Sequence, residues 1–164
     1  MIFREDNETI DSVVAELFRR KRVTLSLAES CTGGLVAKRI TDVPGSSAYF
    51  LEGAVTYSDA AKIRVLGIVP ELLAEKGAVS AETATAMACG IRKNSGSDLA
   101  LAVTGIAGPG GGSEEKPVGT VFIALATTGG CNVLEYRFSG NRDEIRTITS
   151  FMAMDCLRRH LLSL

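Results

Sequence analysis

The chain has 164 residues, of which 46% are hydrophobic and 23% charged, and its formal net charge is −1. This composition is typical of a globular protein, and we expect one domain over residues 1–164. A balanced charge without a basic stripe argues against a dedicated nucleic-acid binder, and no apolar run approaches the roughly 20 residues that span a bilayer. The opening MIFREDNETI is too polar for a secretory signal, so we expect a cytoplasmic protein.

The first predicted element is an amphipathic helix. Its apolar residues recur at helical spacing on one face: Ile10, Val13, Val14, Leu17 and Phe18. The polar segment EDN, just before them, is the expected cap.

Two strands, each followed by a helix, are predicted next. VTLSLA alternates like a strand, and TGGLVAKRI reads as a short helix. VPGSSAYF predicts a turn into a further short helical piece, and GAVTY predicts the second strand. A helix in SDAAKIRVLG would be capped by Ser58 and ended by Gly67.

Two more helices and a buried strand follow. PELLAEKG predicts a helix with Pro70 at its first position. Ser80 would cap a longer helix with one buried face, made of Ala84, Met87, Ala88 and Ile91. The continuous apolar run DLALAVTG predicts a strand that is buried on both faces.

The last part of the chain predicts a glycine-rich loop, a hairpin and a long helix. The loop runs from Gly105 to Pro117, and VGTVFIALAT after it predicts another buried strand. TTGGCN predicts the hairpin turn, VLEYRF the final strand, and Asn141 the start of the last helix. Alternating helices and strands followed by a hairpin predict a three-layer α/β/α sandwich with a mixed sheet.

The cysteines and the histidine predict no metal site. None of the cysteines forms a C-x-x-C pair, so neither a zinc site nor a disulfide framework is indicated; they are Cys31, Cys89, Cys131 and Cys156. The only histidine, His160, is interpreted as a solvated helix residue. We therefore expect no metal and no cofactor.

The stretch AESCTGG lies where a strand ends and a helix begins. The first N–H groups of a helix lack internal partners, so they can hold a phosphate or the oxyanion of an acyl-transfer intermediate. Gly33 and Gly34 would let a ligand approach the backbone closely. Alternatively, Ser30 or Thr32 only caps the helix. Residue pattern alone leaves both interpretations open.

Lys62 and Tyr57, in VTYSDAAK, form a second candidate group. Lys62 falls in the first turns of a helix, where the dipole favours a neutral amine and lowers the lysine pKa. A neutral lysine can act as general base to a serine hydroxyl. The alternative is a solvated lysine beside a tyrosine packed on the sheet.

Two further features could hold an anion. TGIAGPGGGSEEKPVG is too long for a simple connection, and its glycines can direct N–H groups at an anion, although it is neither a Walker A loop nor a dinucleotide fingerprint. Arg142, predicted at the first position of the last helix, needs an anion nearby. Asp143 and Glu144 would supply one locally, and a bound phosphate would serve equally.

Together these residues indicate a serine–lysine hydrolase. Ser30 is the nucleophile, Lys62 the base and Tyr57 a relay or orienting group, in a chain without a well-placed histidine. Cys31 is the competing nucleophile, but a cysteine dyad would need His160.

At these motifs the sequence resembles the CinA C-terminal-domain family of nicotinamide mononucleotide deamidases. The resemblance rests on AESCTGG, VTYSDAAK, TGIAGPGGGSEEKPVG and FSGNR, in order and with compatible spacing. It implies hydrolysis of the carboxamide of nicotinamide mononucleotide to nicotinic acid mononucleotide and ammonia, a salvage step, without a metal.

The resemblance also assigns roles to residues. Ser30 matches the nucleophile, Lys62 the base and Tyr57 the residue that assists them. Backbone N–H groups from Cys31 to Gly34 would stabilise the oxyanion. The implied substrate-binding set is Glu29, Cys31, Thr32, Gly33, Gly34, Ser46, Thr104, Gly105, Gly108 and Arg142. Relatives often carry Asn at the position of Asp59 and Gly at that of Glu52, so both carboxylates could raise the pKa of Lys62.

Two rival functions remain open at this point. The domain could be a non-catalytic module that binds a pyridine nucleotide, or an amidase or esterase with the same chemistry on another substrate. The expected partner is a small nucleotide, with no nucleic acid and no membrane, and a homodimer through the long last helix is left open.

Overall fold

The computed structural model describes residues 9–164. The helices and strands in chain order are α1 (Ile10–Lys21), β1 (Leu25–Glu29), α2 (Leu35–Thr41), a 3-10 turn (Ser46–Ala48), β2 (Phe50–Val55), α3 (Asp59–Leu66), α4 (Pro70–Lys76), α5 (Ala81–Ser95), β3 (Leu99–Gly105), β4 (Thr120–Thr127), β5 (Gly130–Arg137) and α6 (Arg142–Ser163).

One five-stranded sheet organises these residues, in the order β2-β1-β3-β4-β5. β1 is parallel to both β2 and β3, whereas β3–β4 and β4–β5 pair antiparallel. Glu29 stands opposite Val55 on one side and Val103 on the other. The carboxyl ends of the three parallel strands therefore meet at one edge, which is where open α/β sheets bind ligands.

Helices cover both faces of the sheet. Leu101, Val103 and Ile123 point to the core beneath α1, α2 and α6. The alternating alanines Ala100 and Ala102 point to the opposite core, beneath α3, α4 and α5. Their small side chains leave room for α5 to lie close on the sheet. This arrangement confirms the predicted three-layer α/β/α sandwich with a mixed sheet.

Most predicted elements match the observed ones, and their caps explain why. Ser58 accepts a hydrogen bond from the Ala61 N–H, and Gly67 ends α3 in the left-handed conformation. Ser80 caps α5 in the same manner, and Asn141 caps α6. The EDN segment lies outside the described residues, and the N-cap of α1 is Thr9.

The bounds of β2 and of the glycine-rich loop differ from the prediction. β2 begins at Phe50, because Phe50 pairs with Leu25, and it ends at Val55. Gly105 is the last residue of β3, and the loop then continues to Gly119. Its ends are joined by hydrogen bonds from Ile106 to Thr120 and from Gly119 to Ile106. Over residues 9–164, no helix is both long and apolar enough to span a bilayer.

The contact between α3 and α5 gives a prediction about stability. Gly90 of α5 lies against the backbone of Leu66, and an added Cβ would collide with the Leu66 carbonyl oxygen. We expect Gly90→Ala to lower the free energy of unfolding by about 1–3 kcal/mol through overpacking, measured by urea denaturation. Gly110→Ala is the matched control, because its Cβ would enter open space. Equal stability of the two variants would contradict this account.

Candidate active site

Ser30 and Lys62 form the centre of the site. Ser30 directly follows β1, and its N–H continues the sheet ladder by donating to the Val103 carbonyl at 2.9 Å. Lys62, on α3, places Nζ 3.2 Å from Ser30 Oγ. Lys62 is completely buried, and Ser30 is 8% exposed. Two residues that the sequence selected separately thus share a hydrogen bond at the carboxyl edge of the sheet.

The other partners of Lys62 are two backbone carbonyls. Nζ also donates to the carbonyl oxygens of Thr56, at 3.0 Å, and Tyr57, at 3.3 Å. A neutral amine has two N–H donors and one lone pair, whereas an ammonium has three donors and no acceptor. Two carbonyls and one hydroxyl oxygen can accept all three N–H groups of an ammonium, and in the neutral form the Ser30 O–H can donate to the lone pair instead, so these partners suit both forms.

Burial is the main cause of the altered pKa of Lys62. Desolvation lowers this pKa from its usual value of 10.5, and the negative charge of Asp59 opposes the shift. The sequence predicted a lowered pKa from the helix dipole and from partial burial, and the largest cause is the burial. Of the two acidic residues raised as concerns, Asp59 contributes, and Glu52 is not among the causes of the shift.

The anion site predicted at the start of α2 is occupied by the Glu29 side chain. Its carboxylate is 1% exposed and accepts the N–H groups of Gly34, Val36 and Ala37 at 3.0, 3.1 and 2.8 Å. This helix start is therefore occupied by a side chain of the protein itself. The Gly33 N–H is also used, because it donates to the Ser30 carbonyl. Gly33 and Gly34 thus have no N–H to offer an oxyanion in this conformation.

Cys31 is a buried thiol whose burial disfavours the nucleophilic thiolate form. Burial raises its pKa to about 12, although the N–H groups of Cys31 and Thr32 favour the thiolate and partly oppose the shift. Thr32 is fully buried, and its hydroxyl has no hydrogen-bond partner among the described residues.

Arg142 and Tyr57 lie together on the rim of the site. Arg142 donates from Nη2 to the Tyr57 hydroxyl and from Nη1 to the Gly108 carbonyl, both at 2.8 Å. Tyr57 is 57% exposed and lies two residues beyond β2. In this conformation Lys62 meets Ser30 directly and the Tyr57 hydroxyl accepts from Arg142, so its role as a relay or orienting group stays a prediction. Of the two oxygens of Tyr57, the backbone carbonyl is the one hydrogen-bonded to Lys62.

Arg146 and Thr56 contact the site but were missed from sequence. Arg146 lies one helical turn after Arg142 and donates to the Thr32 carbonyl at 2.9 Å. Its i+4 spacing from Arg142 was the available signal. Thr56 contributes a carbonyl to Lys62, and no sequence signal marks a backbone oxygen.

Ser46 and Thr104 differ from their expected places. Ser46 opens the 3-10 turn before β2, at the amino ends of the parallel strands, so it lies at the opposite edge of the sheet from Ser30. Thr104 is 1% exposed, and its hydroxyl donates to the Ala78 carbonyl at 2.7 Å. Gly105 ends the same strand, where an added Cβ would strike Val121.

A cavity of about 680 Å³ lies away from these residues. It is lined by the β4–β5 hairpin and the last turns of α6, including Asn132, Arg159 and His160. None of the residues predicted for the site lines this cavity. His160 therefore has no part in the Ser30 site.

The comparisons with known proteins agree on one family. A family model described as the CinA C-terminal domain matches residues 7–161. CinA-like proteins of Geotalea uraniireducens (strain Rf4) and Geobacter sulfurreducens are 70% and 65% identical over 163 residues, which is 99% of this chain. The chain spans only 39% and 40% of the length of these two relatives.

Solved structures of the same superfamily have the same fold. A CinA superfamily protein from Klebsiella pneumoniae 700603 is 34% identical with a TM-score of 0.91, and the match covers 94% of this chain and 97% of that one. The competence/damage inducible protein CihA from Agrobacterium tumefaciens is 42% identical with a TM-score of 0.86, over the same shares.

The burial of Glu29 gives a testable prediction. Glu29→Gln keeps the size of the side chain but turns a donor NH₂ group toward backbone donors. We expect it to lower the free energy of unfolding by about 1–3 kcal/mol in urea denaturation, because a buried N–H loses its acceptor. Glu52→Gln, an exposed position on β2, is the matched control. If both variants have the same midpoint urea concentration for unfolding, Glu29 does not stabilise the start of α2.

Proposed function

The chain belongs to the CinA C-terminal-domain family, and from that premise we propose that it hydrolyses the carboxamide of nicotinamide mononucleotide. The products are nicotinic acid mononucleotide and ammonia. The observation that carries the proposal is the 3.2 Å contact between Ser30 Oγ and a completely buried Lys62 amine. Serine activated by lysine is an established alternative to the serine–histidine pair.

The first half of the reaction acylates Ser30. Neutral Lys62 takes the hydroxyl proton, and Ser30 Oγ forms a bond to the amide carbon while the C=O electrons move to oxygen. The C–N bond then breaks, and the proton held by Lys62 leaves with the nitrogen as ammonia. The carbonyls of Thr56 and Tyr57 keep the amine aimed at Ser30 throughout.

The second half releases the acid. Lys62, neutral again after ammonia departs, takes a proton from water, and the oxygen of that water attacks the acyl carbon. The Ser30 ester bond breaks, and Ser30 regains its proton from Lys62. At the end of each half of the reaction Lys62 is neutral again. The two halves consume only water and the substrate.

Two arginines support a substrate that carries a phosphate. Arg142 and Arg146 lie one turn apart on α6, and their guanidinium groups reach the glycine loop at Gly108 and the turn at Thr32. Arg142 is exposed. Guanidinium groups bind phosphate with paired hydrogen bonds, so this rim is our proposed anchor for the ribose phosphate.

Ammonia release from nicotinamide mononucleotide tests the proposal. We expect turnover by the wild type and its loss in Ser30→Ala and in Lys62→Arg, because a guanidinium cannot give up its proton. Lys38→Arg, on the exposed side of α2, is the matched control and should keep full activity.

Calorimetric binding of the same nucleotide separates the rival function. If the wild type and Ser30→Ala bind it equally and neither releases ammonia, the domain is a non-catalytic nucleotide-binding module. Free nicotinamide should be a much poorer substrate than the mononucleotide, since it lacks the phosphate. Equal turnover of the two would instead indicate an amidase of another substrate.

The opposition between burial and Asp59 predicts the pH dependence. Activity requires neutral Lys62, so kcat/KM should rise as pH increases through the lowered pKa of that amine. Asp59→Asn removes the charge that favours the ammonium, so the rising limb should move to lower pH. Glu52→Gln, as control, should leave the limb in place. A shift to higher pH in Asp59→Asn would contradict the base role of Lys62.

A further inference from the structure

Three hydroxyl side chains lie in a row across the carboxyl edge of the parallel strands. Ala54, Ala28 and Ala102 are register neighbours on β2, β1 and β3, and all three belong to the core beneath α3 and α5. Two residues further on, the same alternation puts Thr56, Ser30 and Thr104 side by side on that face. Hydrogen bonds from the Ser30 N–H to Val103 and from the Thr56 N–H to Glu29 continue the ladder.

The three hydroxyls differ in the hydrogen bonds that they can still form. Ser30 contacts Lys62, and Thr104 donates its hydrogen to the Ala78 carbonyl, so the Thr104 oxygen can only accept. Thr56 is 1% exposed, yet its hydroxyl has no hydrogen-bond partner among the described residues. Both backbone groups of Thr56 are used, by Glu29 and Lys62. A buried hydroxyl without a partner is unfavourable, and of the three such hydroxyls in residues 9–164 that of Thr56 belongs to the residue that follows β2 beside Ser30.

The reaction needs a donor at this place. The developing oxyanion requires N–H or O–H groups aimed at it, and the N–H groups of Gly33 and Gly34 are already used. Those of Cys31 and Thr32 make no hydrogen bond among the described residues, so a hydroxyl donor from the neighbouring strand end would act beside them. Adjacent strands are about 4.8 Å apart, which puts a donor on the residue just after β2 within reach of a carbonyl group bound over Ser30.

We propose that the Thr56 hydroxyl donates a hydrogen bond to the carboxamide oxygen as Ser30 attacks, while the Thr104 oxygen accepts an N–H of the same carboxamide. This inference rests on the proposed function. As Ser30 Oγ bonds to carbon, the C=O electrons move to an oxygen on the β2 side. Thr56 stabilises that charge and keeps its own proton. The nitrogen, on the β3 side, leaves with the proton that Lys62 took from Ser30.

Thr56→Val, which replaces the hydroxyl by a methyl group, tests the inference. We expect its melting temperature to equal or exceed that of the wild type, because the lost hydroxyl has no partner. We expect kcat for nicotinamide mononucleotide to fall by about 100-fold to 1,000-fold with KM within about threefold, since the bond forms only in the transition state. Thr56→Ser keeps the donor and should restore most of the activity.

Tyr49→Phe is the matched control. The Tyr49 hydroxyl is also buried without a partner, but it lies at the amino ends of the strands, where the ring stacks on Phe18. Its removal should preserve the melting temperature and leave kcat unchanged. A Thr56→Val variant that keeps wild-type kcat would overturn the inference. So would one whose loss of activity follows a loss of stability, because the hydroxyl would then be structural.

Acylation by p-nitrophenyl acetate separates this inference from the proposed function. Suppose the wild type releases no ammonia, but Ser30 is acetylated by the ester, as detected by mass spectrometry. The proposed function then fails, and a slower acetylation of Thr56→Val than of Tyr49→Phe still supports the oxyanion role. Equal acetylation rates, or no acetylation of Ser30 in any variant, overturn it.

Discussion

The site depends on burying the amine of Lys62 away from water and holding it beside the Ser30 hydroxyl. Two backbone carbonyls accept N–H groups of the amine, and Nζ lies 3.2 Å from Ser30 Oγ. Burial weakens the ammonium form, and the negative charge of Asp59 opposes this only in part. Because α3 carries Lys62 and packs on α5, the position of the base is set by the same helix contact that closes this side of the core.

A buried carboxylate, that of Glu29, holds the nucleophile from the other side of the sheet. Side chains alternate along β1, so Glu29 points toward α2 while Ser30 points toward α3. The Glu29 carboxylate holds three N–H groups at the start of α2, and this fixes the turn that follows Ser30. At the end of β1, Glu29 on one face thus fixes the backbone, and Ser30 on the other face is the proposed nucleophile. A helix start that would otherwise bind an anion is used for structure instead.

Local signals in the sequence were sufficient for the fold and for naming the central residues. Ser58, Ser80 and Asn141 mark helix starts through their own capping bonds, and a continuous apolar run marks a strand covered on both faces. Ser30 and Lys62 could be nominated because their residue types suit one reaction. Contacts set by tertiary packing left no such signal. The carbonyl of Thr56, the guanidinium of Arg146 and the pairing of the Tyr57 hydroxyl all depend on elements that are distant in sequence.

The ionisation state of Lys62 is the most direct test of this account. Lysine labelled with ¹³C at Cε allows each amine to be titrated by NMR, with Lys62→Met identifying the signal. We predict that Lys62 titrates clearly below its usual value of 10.5 and apart from the exposed lysines. A Lys62 signal that titrates together with those lysines would show a charged amine at neutral pH, and Ser30 would then lack its base.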